Sequence, residues 1–141
     1  MAYPVVAATL QRVGGRPYNR PMALNFTKMH GAGNDFVVVD RRAETAPLDP
    51  GLVQAIANRH TGVGFDQLLS IERSARADCH AAYRIHNADG SSARQCGNGV
   101  RCLAAWLYRA EPGLPAVLRL DGPAGVVACT RLDDGRIRVD M

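Results

Sequence analysis

Between Asn87 and Leu107 the chain passes from a polar, glycine-punctuated run, Asn87-Ala-Asp-Gly-Ser-Ser-Ala-Arg-Gln-Cys96, straight into an apolar helical pattern. The spacing predicts a helix from Gly97 to about Arg109. On it Val100, Leu103, Ala104, Leu107 and Tyr108 recur on one face at the 3.6-residue period. A helix with a single apolar face must be covered by another layer. Cys96 falls on that same side, so the helix start points toward the interior or a cleft.

The cover is legible as strands. Leu24–Met29, Phe36–Asp40, Gln67–Glu72 and Cys79–His86 read as strands. So do Ala116–Leu120, Val126–Arg131 and Arg136–Met141. Gly122-Pro123 and Asp133-Asp134-Gly135 supply turns. Pro50 opens a second helix to about Arg59, with Leu52, Val53, Ile56 and Ala57 on its stripe. The expected class is α+β: a mostly antiparallel, curved sheet around a central helix. Residues 25–141 form this domain. Residues 1–24, with Gly14-Gly15, Pro4, Pro17 and Pro21, read as a flexible extension, with Met22 a candidate start. The chain stops in or just after its last expected strand, as a truncated chain would.

The 141 residues suit one domain, or one half of a two-part enzyme. No apolar stretch approaches the roughly 20 residues of a membrane span, and Val5–Leu10 is too short for an export signal. The net charge of +4 comes largely from Arg12, Arg16 and Arg20, so the folded body offers no basic face for nucleic acid. The expected setting is cytoplasmic, with neither membrane nor nucleic acid as partner. The four cysteines, Cys79, Cys96, Cys102 and Cys129, form no Cys-x-x-Cys pair and read as free thiols. Cys79, Cys102 and Cys129 sit in apolar patterns, as small buried hydrophobes do. Cys96, between Gln95 and Gly97-Asn98, does not. No histidine pair has zinc-ligand spacing, and no metal is expected. His30, His60, His80 and His86 lack a carboxylate at telling spacing and read as structural.

Three polar loops, His30–Asp35, Thr61–Asp66 and Asn87–Gly99, each lie at a strand end and could share one rim of the sheet. Gly31-x-Gly33 and Gly62-x-Gly64 complete no dinucleotide fingerprint. At Cys96 the helix start favours thiolate over thiol, and the free N–H groups of Gly97 and Asn98 offer a socket for a carboxylate. The amides of Asn34, Gln67 and Asn87 suit the ammonium and carboxylate groups of an amino acid. A sulfur base beside a carboxylate socket points to proton chemistry on an amino acid.

Phe26-Thr-Lys-Met-His-Gly-Ala-Gly-Asn-Asp-Phe36, Gly62-Val-Gly-Phe-Asp-Gln-Leu-Leu69 and Asn87-Ala-Asp-Gly…Gln95-Cys-Gly-Asn-Gly99 resemble the N-terminal half of the diaminopimelate epimerases. The resemblance runs in order from Leu24 to Met141. It implies one of two pseudo-symmetric halves. It also implies a cofactor-independent isomerase that interconverts LL- and meso-diaminopimelate, a step toward lysine and peptidoglycan precursors, and a homodimer in the intact enzyme. Cys96 resembles one of the family's two acid/base cysteines. Asn34, Gln67 and Asn87 resemble its substrate-contacting amides. Gly97 and Asn98 resemble the backbone donors to the reacting carboxylate. The family's second cysteine loop is missing from this chain. Ser92 stands where glutamate is common, and His86 where phenylalanine is usual. One thiol cannot complete a two-base inversion, so the chain alone is expected to be inactive. The alternatives are a silent half-domain for assembly, two copies each lending Cys96, or another racemase or isomerase of the superfamily. The Asn34, Gln67, Asn87 set argues against the last.

Overall fold

A computed structural model describes the backbone of residues 5–13 and 16–141, with side chains from residue 24 onward. The elements in order are β1 (Val5–Val13), β2 (Arg16–Gly31), β3 (Asn34–Asp40), α1 (Pro50–Ala57), β4 (Gln67–Glu72), β5 (Ala81–Asn87) and β6 (Ser92–Ala93). Then come α2 (Gly97–Ala110), β7 (Val117–Gly122), β8 (Gly125–Arg131) and β9 (Ile137–Asp140). One sheet runs β1-β2-β3-β4-β5-β7-β8-β9, with β6 on β5. Pairing is antiparallel except for β3 with β4 and β5 with β7.

Helix α2 touches β2, β3 and β4 and also β8 and β9, strands from both ends of that order. One helix can meet both ends only if the sheet curls around it. The expected α+β class, a mostly antiparallel curved sheet about a central helix, is what forms. The α2 stripe of Val100, Leu103, Ala104 and Leu107 packs with Phe36, Val38, Leu69, Ile71, Ile85, Leu118 and Leu120. Helix α1 covers the outer face through Leu52, Val53 and Ile56, against Val37, Val39, Leu68 and Phe65. Strands β3 and β4 are therefore buried on both faces. This accounts for their unbroken apolar runs and for the parallel pairing, whose crossover is α1. These three elements do make a parallel crossover unit, but neither glycine pair lies at its strand-to-helix turn.

Local signals set the helix ends. The Asp49 carboxylate accepts from the Gly51 amide at 2.9 Å, and Pro50 occupies the first turn. The helix stops at Ala57, two residues short of Arg59, because the Asn58 side chain accepts from the amides of His60 (2.8 Å) and Thr61 (3.0 Å) and turns the chain. Gly62 then passes over the helix end. A β-carbon there would lie 2.4 Å from the Ala55 carbonyl oxygen, so only glycine fits.

Three further differences from expectation concern the periphery. Of the segment read as a flexible extension, residues 1–4, 14 and 15 lie outside the described residues. The described backbone of 5–13 and 16–24 runs in β1 and the start of β2, paired antiparallel. Cys79 is half-buried in a turn, not in an apolar strand: β5 begins only at Ala81, and the turn closes through the Cys79 amide on the Arg76 carbonyl at 3.2 Å. The two-residue strand β6 is too short to leave a periodic signal.

Candidate active site

The three glycine-bearing loops meet at one rim of the sheet. In register, Phe36 lies beside Gln67, and Gln67 beside Asn87. Side chains alternate along strands, so Asn34, Gln67 and Asn87 share the face of Phe36, Leu69 and Ile85, which is the face α2 covers. Gln67 donates through Nε2 to Asn87 Oδ1 at 3.0 Å, and Asn87 Nδ2 donates to Ser91 Oγ at 3.0 Å.

The start of α2 sits directly above this row. A β-carbon on Gly99 would fall 3.1 Å from Leu69 Cδ2, 3.3 Å from Cys96 Sγ and 3.4 Å from a Phe36 ring carbon. Glycine here lets the helix mouth descend onto the sheet. Cys96 is the N-cap, with extended backbone, and its sulfur accepts from the Gly99 amide at 3.3 Å. The amides of Gly97 and Asn98, first in the helix, have no carbonyl a turn earlier to meet. Cys96, Gly97 and Asn98 are all half-buried. Asn98 Nδ2 donates to Asn34 Oδ1 at 3.3 Å, which ties the helix start to the first loop, and Arg101 Nη1 donates to Asn98 Oδ1 at 3.0 Å.

The sulfur named from sequence thus lies in the same small region as the three amides and the two backbone donors. The other thiols lie elsewhere. Cys102 and Cys129 are in the core, where burial pushes each thiol up to about 11.

Sequence reasoning missed the ion cluster behind the first two loops. Arg59 grips both oxygens of Asp35 (2.9 and 2.8 Å) and reaches Asp66 Oδ1 at 3.0 Å. Lys28 reaches Asp35 Oδ2 at 2.6 Å and also donates to the Gly64 carbonyl. The Arg59 guanidinium, then Lys28, holds the Asp35 carboxyl well below the usual carboxylate range. Asp35 and Asp66 each accept the other's backbone amide, at 2.9 and 3.1 Å. Asp35 and Asp66 stand inside the quoted motifs, but nothing in their spacing joins them to Arg59. His80 Nε2 lies 3.1 Å from Glu111 Oε2, a partner 31 residues away that no local spacing announces. Among the described residues no group of three or more His, Cys, Asp and Glu is placed to hold a metal ion.

The architecture recurs in solved structures of racemases and epimerases. A hydroxyproline epimerase from Agrobacterium vitis superposes with a TM-score of 0.66 at 16% identity, over 82% of this chain and 40% of that one. A probable proline racemase from Agrobacterium radiobacter gives 0.64 at 19%, over 82% and 41%. At such identities the likeness is one of fold, and it defines the class: half of a racemase-type fold.

The sequence is more specific. The family model described as diaminopimelate epimerase matches residues 26–141, and the chain belongs to that family. The diaminopimelate epimerase of Xanthomonas campestris pv. campestris is 52% identical over 118 residues, and that of Xylella fastidiosa (strain M23) 60% over 120. Each alignment covers 84% of this chain and 42% of the relative, so the chain spans less than half the length of these relatives.

Proposed function

We propose that this chain forms the N-terminal half of an enzyme that interconverts LL- and meso-diaminopimelate without a cofactor. The observation that carries the reading is the Cys96 sulfur at the mouth of α2, beside the Gly97 and Asn98 amides and above the Asn34, Gln67, Asn87 rim.

Inversion takes the α-proton from one face of the carbon and returns one to the other. Cys96 Sγ receives or supplies the proton on its side. The second acid/base group belongs to sequence beyond the 141 residues and faces it across the substrate. As the proton leaves, charge builds on the α-carbon and its carboxylate. Each pKa unit between that carbon acid and the thiol costs about 1.4 kcal/mol, so the site must stabilise the charge. Amides of a helix start aimed at the carboxylate do so without reorganising, more strongly once a facing half excludes water. One helix start serves both tasks, which explains why thiol and carboxylate donors adjoin in sequence. The chain alone lacks the opposite acid/base group and does not turn over. The intact enzyme is a soluble homodimer.

The test joins this chain at Met141 to the C-terminal part of the Xanthomonas campestris relative and offers a panel of amino acids. Interconversion of the diaminopimelate stereoisomers, with none for proline or hydroxyproline, is expected. Racemisation of proline in preference to diaminopimelate would overturn the substrate assignment.

A further inference from the structure

We propose that Arg59 is a positioning residue that sets which end of the Asn34 amide faces the substrate. The inference rests on the reading of the rim as a substrate site.

The geometry runs as a chain of contacts. Arg59 donates to Asp66 Oδ1 at 3.0 Å, and the other oxygen of Asp66 accepts from Asn34 Nδ2 at 3.3 Å. With its NH2 held by Asp66, Asn34 turns its carbonyl oxygen toward the helix start, where it meets Asn98 Nδ2 at 3.3 Å. An amide fixed this way presents an acceptor, and an acceptor pairs with an ammonium group. Flipped, it would present a donor and repel one. Asn34 is itself exposed, on the first residue of β3, so no packing selects between the two orientations. The selection falls to two polar partners: the Asp66 carboxylate holds the NH2, and Asn98 Nδ2, whose own carbonyl oxygen is taken by Arg101, meets the Asn34 oxygen.

Asp66 in turn needs a cation. Asp35 and Asp66 sit side by side, bonded through each other's amides, and two carboxylates so placed repel. Arg59 bridges them with one planar fork, bidentate on Asp35 and single on Asp66. Lys28 engages Asp35 from the other side. Loss of Arg59 therefore leaves Asp35 partnered by Lys28, while Asp66 loses its cation, keeps only the Asp35 amide on Oδ2, and holds Asn34 less firmly. Arg59 reaches the loops through Asp35 and Asp66, and acts on Asn34 only through Asp66. Its side chain is 55% exposed, so its replacement leaves the core untouched.

The test uses Arg59→Gln and Arg59→Lys. In the 141-residue chain, the Asn34 side-chain NH2 resonances, assigned by their loss in Asn34→Asp, should shift and exchange faster with water in Arg59→Gln. The Asn87 pair, held by Ser91, should stay. Thermal unfolding by circular dichroism should be close to that of the parent. In the joined enzyme, Arg59→Gln should raise KM for diaminopimelate about tenfold, the loss of about one hydrogen bond to the substrate's charge, with kcat within about threefold. Arg59→Lys should recover part of the affinity. A parental Asn34 signal together with a parental KM in Arg59→Gln would overturn the proposal. A KM that rises while turnover proves independent of Cys96 would instead sink the epimerase reading, and the Asn34 signals alone would still decide the clamp.

Discussion

Cys96 differs from its sister thiols by position rather than by chemistry. Cys102 and Cys129 are packed in the core and held in their neutral form, while Cys96 is half-buried at a helix mouth with an N–H on its sulfur. A thiol reacts as its thiolate and only where a reagent can reach it. Brief iodoacetamide treatment of the folded chain near pH 8, read by peptide mass spectrometry, should therefore label Cys96 and the half-buried Cys79 and spare the two core thiols. Equal labelling of all four would contradict the packing. Much of this contrast was legible in the sequence, because Cys96 has only polar and glycine neighbours. Cys79 was misread because an apolar pattern to its C-terminal side was extended over it, whereas Asp78 and Arg76 pull that segment into a turn. The Arg59 clamp was not legible at all. Its ion pairs join residues 24 and 7 positions apart across three segments, and no local period encodes such a contact.

The loops carry the candidate site, and the strands and helices carry the loops. The first loop is a two-residue hairpin, with Gly31 paired to Asn34 and positive φ at both Ala32 (49°) and Gly33 (91°). Those signs fit the primed turns that match strand twist, and they are costly for alanine. Ala32→Asn should stabilise the chain by about 1 kcal/mol in chemical denaturation, since asparagine tolerates this region better. A destabilised variant would show that Ala32 is held by something other than the turn. Helix α1 supports two loops at once. Its last turn receives the amides of Val63 and Gly64 on the Ile56 carbonyl, and Gln54 donates to the Asp89 carbonyl of the third loop at 2.6 Å. The two helices and six of the strands were readable from period and turn residues, with ends off by at most two positions, whereas β2 starts eight residues before the expected Leu24 and β1 was not read as a strand. The parallel pairings were not, because a strand's partner is chosen by its crossover and by burial on both faces.

Over the whole molecule, the curled sheet leaves one helix mouth open at a rim where three loops converge. Burial of neutral side chains inside it also sets a pH limit. Burial raises Cys102 and Cys129 to about 11 and Tyr83 to about 12, above their ordinary values of 9.0 and 10.0. The unfolded chain therefore releases these protons first as pH rises. The stabilisation is complete below about pH 9 and is lost progressively toward pH 11 to 12. Urea midpoints measured across that range should fall, and fall less in Cys102→Ala after allowance for its lower starting stability. A flat profile would contradict the burial of these groups. The C-terminal β9 packs against α2, and Met141 Sδ lies 3.2 Å from where a β-carbon on Gly97 would stand, so the end of the chain borders the helix mouth. The family resemblance supplied what no single loop could, since each loop alone is an ordinary turn. Three of them converging on one rim are not.

The central claim is that the Cys96 sulfur exchanges the substrate's α-proton. The most direct measurement follows deuterium uptake and stereochemical inversion of LL-diaminopimelate in heavy water, by the joined enzyme and its Cys96→Ala and Cys96→Ser variants. Inversion should vanish in Cys96→Ala and fall by at least about a thousandfold in Cys96→Ser, at parental folding and near-parental substrate binding. Inversion by Cys96→Ala within about threefold of the parent would contradict the account.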